Sequence, residues 1–242
     1  MSRVQKASGR AAGVTSLGIA FTSNVTAASL LVACPFGFSD TTFTIGVVDD
    51  NLNGPGTDYT ESSERVWNAT SRSVASIYYF PNSGAGACTV TCNASATVDL
   101  GMVVIEYSAM ATVGPVDVTD ANGANNTGST PTTADLITLN ANDVLVASLT
   151  HDGGPAPTLT VEAGWTLVDE EEDATSGTPW SVAEKFLTAT ATDQHTWTVG
   201  DSVDSTMAFT AFKEAAGAAD QEPSLVGGKL VFNSVVLRHL VH

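Results

Sequence analysis

The residues best placed for chemistry in this sequence are oxygen donors. The run Asp49-Asp50-Asn51-Leu52-Asn53-Gly54 sets Asp49, Asn51 and Asn53 at alternate positions with a glycine sixth. A calcium loop opens this way, because hard cations take carboxylate and amide oxygens around a sharp turn. The twelfth position, where such a loop needs a bidentate Glu, is Thr60, with Glu61 one residue late. The run therefore also reads as a polar inter-strand turn. Asp169-Glu170-Glu171-Glu172-Asp173 concentrates carboxylates that repel one another unless neutralised. It suits a hard cation, a basic partner, or a solvated loop that keeps an edge strand from aggregating.

Catalytic patterns do not emerge. His151-Asp152 is adjacent in a predicted strand, where neighbouring side chains point to opposite faces. There is no nucleophile elbow, no zinc-binding helix motif and no phosphate-cradling glycine loop. The expectation is a non-enzymatic protein with no catalytic residues and, calcium aside, no cofactor. Flat aromatic faces can stack on sugar rings, so Trp67 and Trp180, in or beside variable loops, are the candidate glycan ligands. Trp165, Trp197, Tyr78 and Tyr79 fall inside apolar strand patterns and read as core.

These side chains sit in a chain of 242 residues with a net charge of −17 and only 14% charged residues. That balance argues against nucleic-acid binding by the body, since phosphate needs clustered Lys and Arg. The charges segregate. Arg3, Lys6 and Arg10 open the chain and Lys229 and Arg238 close it, with no acid in either segment. Between residues 11 and 228, four cations (Arg65, Arg72, Lys185, Lys213) face all 26 acids. The ends either lie on their own acidic body or reach a neighbour. Cys88 and Cys92 would lie about 13 Å apart along a strand, too far to bridge, whereas either could meet Cys34.

No apolar run has the length of a signal peptide or a membrane span. The protein is expected to be made and held in the cytoplasm until assembly, without membrane contact.

Strand-like segments recur every 8–15 residues between Gly, Pro, Asn and Asp clusters, as in β-sandwiches. The expected fold is all-β, with two tandem antiparallel β-sandwich domains of jelly-roll or Ig-like type and a strand-like C-terminal tail. Residues 1–112 form the first domain with a basic N-terminal arm. Residues 113–134, rich in Gly, Asn and Thr, form a linker, 135–219 the second domain and 220–242 an assembly tail. SLLVA, FTIGVVDD, SVASIYYF and LGMVVIEY in the first half match, in order, DVLVASLT, LTVEAGWTLVDEEED, WSVAEKFL and TMAFTAFK in the second. Duplication explains this order, as does the rhythm common to all sandwiches.

The blocks VQKASG…AFTSNVTAASLLV, SIYYFPNSGAGACTVT…IEYSAM and AGWTLV…AEKFLTA…MAFTAFKEA resemble a loosely defined class of tandem β-sandwich proteins. That class occurs in bacteriophage genomes and bacterial surface proteins. The ending GGKLVFNSVVLRHLVH resembles the tails of small virion proteins. The resemblance implies a structural virion protein, such as a capsid decoration or cement protein or one on the tail. Its expected partners are the major capsid protein or other virion subunits and copies of itself. The predicted interface comprises Arg3, Lys6, Arg10, Lys229, Leu230, Phe232, Val236, Arg238 and Leu240. The alternative is a carbohydrate-binding or adhesive module, with or without calcium.

Overall fold

The computed structural model describes residues 1–54, 58–65, 67, 69–152, 159–171 and 179–216, with the backbone of 224–226 and 229–231. All regular structure among them is β. Strands β1 (Ser2–Ala20), β2 (Leu30–Phe38), β3 (Ile45–Asp50), β4 (Thr60–Arg65), β5 (Ser73–Phe80) and β6 (Thr89–Ser108) form the first antiparallel sheet. Their order is β1-β6-β2-β5-β4, with β3 also on β6. β7 (Val116–Gly128), β8 (Leu136–Ile137), β9 (Asp143–His151), β10 (Leu159–Val161), β11 (Thr166–Glu171) and β12 (Trp180–Phe186) follow. Then come β13 (Thr192–Asp193), β14 (Trp197–Val199) and β15 (Val203–Lys213). The second large sheet runs β11-β12-β9-β15-β7, while β10 pairs β14 and β13 pairs β8.

Side-chain alternation explains how the sheets stack. In β2, Leu31 and Ala33 enter one core, and Leu30, Val32, Cys34 and Phe36 enter another. β9 likewise sends Leu145, Ala147 and Leu149 one way and Val144 and Val146 the other. Both strands are buried on both faces, which is why they read as continuous apolar runs. The shared core takes side chains from both large sheets, so the two pack face to face. The outer face of the first sheet is covered by the end of β1, the start of β6 and β3. That of the second is covered by β8, β10 and β14.

The two halves share one strand topology in their large sheets. Reading the second sheet from its other edge gives β7-β15-β9-β12-β11, strand for strand the partner of β1-β6-β2-β5-β4. Two of the bulges coincide as well. The β1–β6 ladder slips between Arg3 and Gln5 opposite Tyr107 and Glu106. The β7–β15 ladder slips where Val116 and Val118 face Phe212 and Ala211. A second slip skips Ser62 in the β4–β5 ladder and Val168 in the β11–β12 ladder. Bulges are positional devices that re-aim a strand, so two in register mark a duplicated unit.

This corrects the expected domain plan. Residues 113–134 are not a linker, because β7 lies within them and hydrogen-bonds along β15 as β1 does along β6. Residues 1–10 are not a projecting arm, because β1 is paired from Ser2 onward. Both were obscured by composition: small and polar residues fill edge strands whose binding comes from backbone bonds and one packed face. The cysteines are free and buried. Cys34 faces the shared core, while Cys88 and Cys92 face the outer core of the first sheet, so the sheet itself separates them.

Candidate functional site

The three N-terminal cations lie on β1 and cross to the second sheet. Arg3 Nη1 is 3.0 Å from Glu184 Oε1, Lys6 Nζ is 3.1 Å from Asp169 Oδ1, and Arg10 Nη1 is 3.7 Å from Glu171 Oε1. Lys6 Nζ also donates to Val168 O. The acidic run, whose first three residues end β11, is thus partly answered by this chain's own β1, while Glu172 and Asp173 lie outside the described residues. The innermost pair is a network: Tyr107 Oη donates to Glu184 Oε2 at 2.7 Å. Burial raises the pKa of Glu184, against the Tyr107 hydrogen bond and the Arg3 charge, which lower it. These cations therefore clamp the repeats together rather than forming the outward interface expected of them.

The opposite edge is pseudo-symmetric and is bridged by hydroxyls. Thr119 Oγ1 on β7 donates to Ser62 O on β4 at 2.6 Å, and Ser63 Oγ donates to Asp120 O. Ser62 Oγ meets Thr210 Oγ1 at 3.0 Å, and Ser73 Oγ meets Thr206 Oγ1 at 3.0 Å. Hydroxyls buried between sheets need such partners, and here each repeat supplies the other's.

Neither candidate glycan tryptophan is presented to a ligand. Trp180 is 2% exposed, stacks on Phe36 at 5.8 Å between centroids, and lies over Gly101 in the shared core. Trp67 is half-buried against the first outer core and donates Nε1 to Ser39 O at 2.9 Å. The Asp49–Gly54 turn is organised by Asp50. Its Oδ1 accepts from Leu52 N and Asn53 N, and its Oδ2 accepts from Asn53 Nδ2 and Tyr59 Oη. Asn51 Oδ1 accepts from Thr89 N and Asn53 Oδ1 from Gly84 N, so both amides hold backbone instead of converging with Asp49. Among the described residues, no group of His, Cys, Asp or Glu gathers as a metal site.

Two titratable clusters escape sequence reading because their members come from different strands. Asp143, at the start of β9, is fully buried. Burial and then the neighbouring Asp117 carboxylate push its pKa up to about 7, against Lys213. Asp117 itself loses solvation, yet amides of Leu139 and Asn140 hold its pKa below the ordinary value. His195 lies between Trp165 and Trp197, with centroids 4.3 and 4.2 Å away, and Nδ1 is 3.3 Å from Glu162 Oε1. Burial and then Lys185 lower it to about 3, so it packs as a neutral ring.

Exposed large apolar side chains gather at one end of the second repeat. Val113 is 85% exposed, Leu139 72% and Ile137 65%, with Phe186 on the same end. Grooves of about 390 and 240 Å³ run there, sharing Asn142 and Glu214. Ala216, the last residue described before residue 224, lines the larger groove. Further along the chain, β16 (Ser224–Val226) pairs with β17 (Lys229–Val231) as a hairpin.

Lys229 and Leu230 are in β17; Phe232, Val236, Arg238 and Leu240 lie outside the described residues. Comparison with protein-family models, curated proteins and solved structures gives no match to the chain. The functional reading therefore rests on these surfaces.

Proposed function

We propose that the chain is a non-enzymatic structural subunit: two tandem β-sandwiches fused into one block, which assembles with neighbours through its C-terminal segment. The observation that carries this is the contrast between the basic ends. Arg3, Lys6 and Arg10 are held by Glu184, Asp169 and Glu171 of the same chain. The segment from Lys229 onward is apolar and basic with no acid of its own, and the described body exposes Val113, Ile137, Leu139 and Phe186. The setting we propose is a bacteriophage virion, with this protein decorating or cementing a head or sitting on a tail. Its partners there are the major capsid protein or other virion subunits and copies of itself. The sequence resemblance to phage tandem sandwiches supports that setting, and the acidic, Thr- and Asn-rich surface suits a particle exterior.

Light-scattering mass of the full chain across concentration tests the subunit reading. Association is expected, and Leu230→Asp with Phe232→Asp should abolish it. A mass that stays monomeric at all concentrations contradicts it.

A second reading, a glycan-binding module, is favoured by a different groove. About 310 Å³ in volume, it is lined by Thr70, Ser71, Asn125, Asn126, Thr127, Asp204 and Ser205, hydroxyls and amides suited to sugar hydroxyls. A glycan array supports it if Asn126→Ala and Asp204→Ala erase binding, and a blank array removes it.

A further inference from the structure

Leu139 and Val113 lie on short connections and Ile137 on β8, with backbones fixed from within. Asp117 Oδ2 accepts from Leu139 N at 2.6 Å, Thr138 N donates to Ala191 O at 2.9 Å, and Lys213 N donates to Pro115 O at 2.8 Å. The apolar side chains are thus held outward on a firm base. Four of the six exposed large hydrophobics named for the described residues are at this end: Val113, Ile137, Leu139 and Phe186. Concentrated exposure of this kind marks an interaction surface rather than scattered surface residues.

Complementarity points to the occupant. The segment beyond residue 216 carries Leu225, Val226, Leu230, Val231, Phe232, Val236, Leu237 and Leu240, while its two cations, Lys229 and Arg238, are balanced by Asp220 and Glu222. The face is apolar at Val113, Ile137, Leu139 and Phe186, and its carboxylates are engaged within the chain: Glu214 with the Met1 amino group, Asp193 with Lys185, and Asp117 with the amides of Leu139 and Asn140. Among the described residues, β16 and β17 pair with each other and with no strand of the body. The segment starts at the rim of this face, because Ala216 lines its groove. Two copies set face to face would each deliver a tail to the other, a self-complementary exchange that closes at two.

We propose that the C-terminal segment 217–242 of a second copy docks on the end face made by Val113, Ile137, Leu139 and Phe186, reciprocally in a dimer. This rests on the subunit reading above and names the receiving surface. Anchors are supplied by the apolar side chains of the segment and of the face.

The test uses full-length chains and light-scattering mass. One variant carries Val113→Asp and Leu139→Asp, both at exposed positions, and the other Leu230→Asp and Phe232→Asp. Unchanged thermal midpoints confirm that each is folded. Wild type is expected at twice the monomer mass and each variant alone at the monomer mass. An equimolar mixture of the two variants is expected to recover a heterodimer held by one intact contact. A face variant that stays dimeric while the tail variant dissociates overturns this surface and leaves the subunit reading standing. A monomeric wild type overturns both.

Discussion

Lys6 and Thr119 stand at the same position of two duplicated strands and make the same contact. Lys6 Nζ donates to Val168 O, and Thr119 Oγ1 donates to Ser62 O at 2.6 Å, each acceptor being the bulged residue of the facing edge strand. The two repeats are therefore related by a pseudo-two-fold axis through the shared core. Sequence has diverged at the contact, while its geometry has been kept.

Burial separates the two contacts energetically. Thr119 Oγ1 also meets Thr210 Oγ1 at 2.9 Å and faces buried Ser62, so Thr119→Val should cost about 1–2 kcal/mol. The Lys6 side chain is 40% exposed, and solvent screens its pairing with Asp169. Lys6→Met should cost less than about 1 kcal/mol. Urea midpoints check the order, and an equal or larger loss for Lys6→Met contradicts it.

The network of Arg3, Glu184 and Tyr107 has an apolar counterpart. Val116 pairs with Phe212, whose ring meets Tyr79 at 5.6 Å, in the equivalent three positions. Arg3→Met alone strands the buried Glu184 carboxylate and should cost about 3–5 kcal/mol. Grafting the apolar set as Arg3→Val, Glu184→Tyr and Tyr107→Phe should be neutral or stabilising by about 1–4 kcal/mol. Denaturation curves decide this, and a triple variant weaker than Arg3→Met would refute the equivalence.

Gly101 exists for Trp180. A Cβ at residue 101 would stand 2.5 Å from the indole, closer than packed atoms come. Gly101→Ala should destabilise by about 1–3 kcal/mol, the usual cost of overpacking. Trp180→Leu added to it should restore part of that loss. Thermal midpoints of the single and double variants check this, and additive losses would contradict the contact.

The pH response follows from buried groups with opposite signs. Asp143 has its pKa raised to about 7 from the ordinary 3.8, so the native state holds a proton that the unfolded chain releases between about pH 4 and 7. Its contribution to stability falls as pH rises through that window. His151 and His195, lowered by burial to about 4 and about 3, act oppositely and lose stability as pH drops below 6.5. Asp143→Asn removes the first effect only. Its urea midpoint relative to wild type should be higher at pH 8 than at pH 5; an unchanged difference contradicts the assignment.

Much of the fold was legible because strands buried on both faces, such as β2 and β9, leave short continuous apolar runs. The block order matched β2 with β9, β5 with β12 and β6 with β15, but FTIGVVDD holds β3, whereas the acidic strand β11 answers β4. The first strand of each repeat was not legible. β7 reads VDVTDANGANNTG, whose ladder to β15 depends on backbone groups that any sequence carries. Trp180 looked like a loop aromatic because the residues before it are polar, yet it caps the glycine at 101 in the shared core. Arg3, Lys6 and Arg10 were recognisable as a basic cluster. That their acids were Glu184, Asp169 and Glu171 depended on a pseudo-symmetric packing that spacing does not encode.

On the proposed reading, the C-terminal segment binds a neighbour rather than its own body. Hydrogen–deuterium exchange of the full chain, read on peptides spanning 229–240 at low and high protein concentration, tests it directly. Slow exchange at high concentration that becomes fast on dilution is the predicted result. Exchange at one rate over the whole range, whether fast or slow, would contradict it.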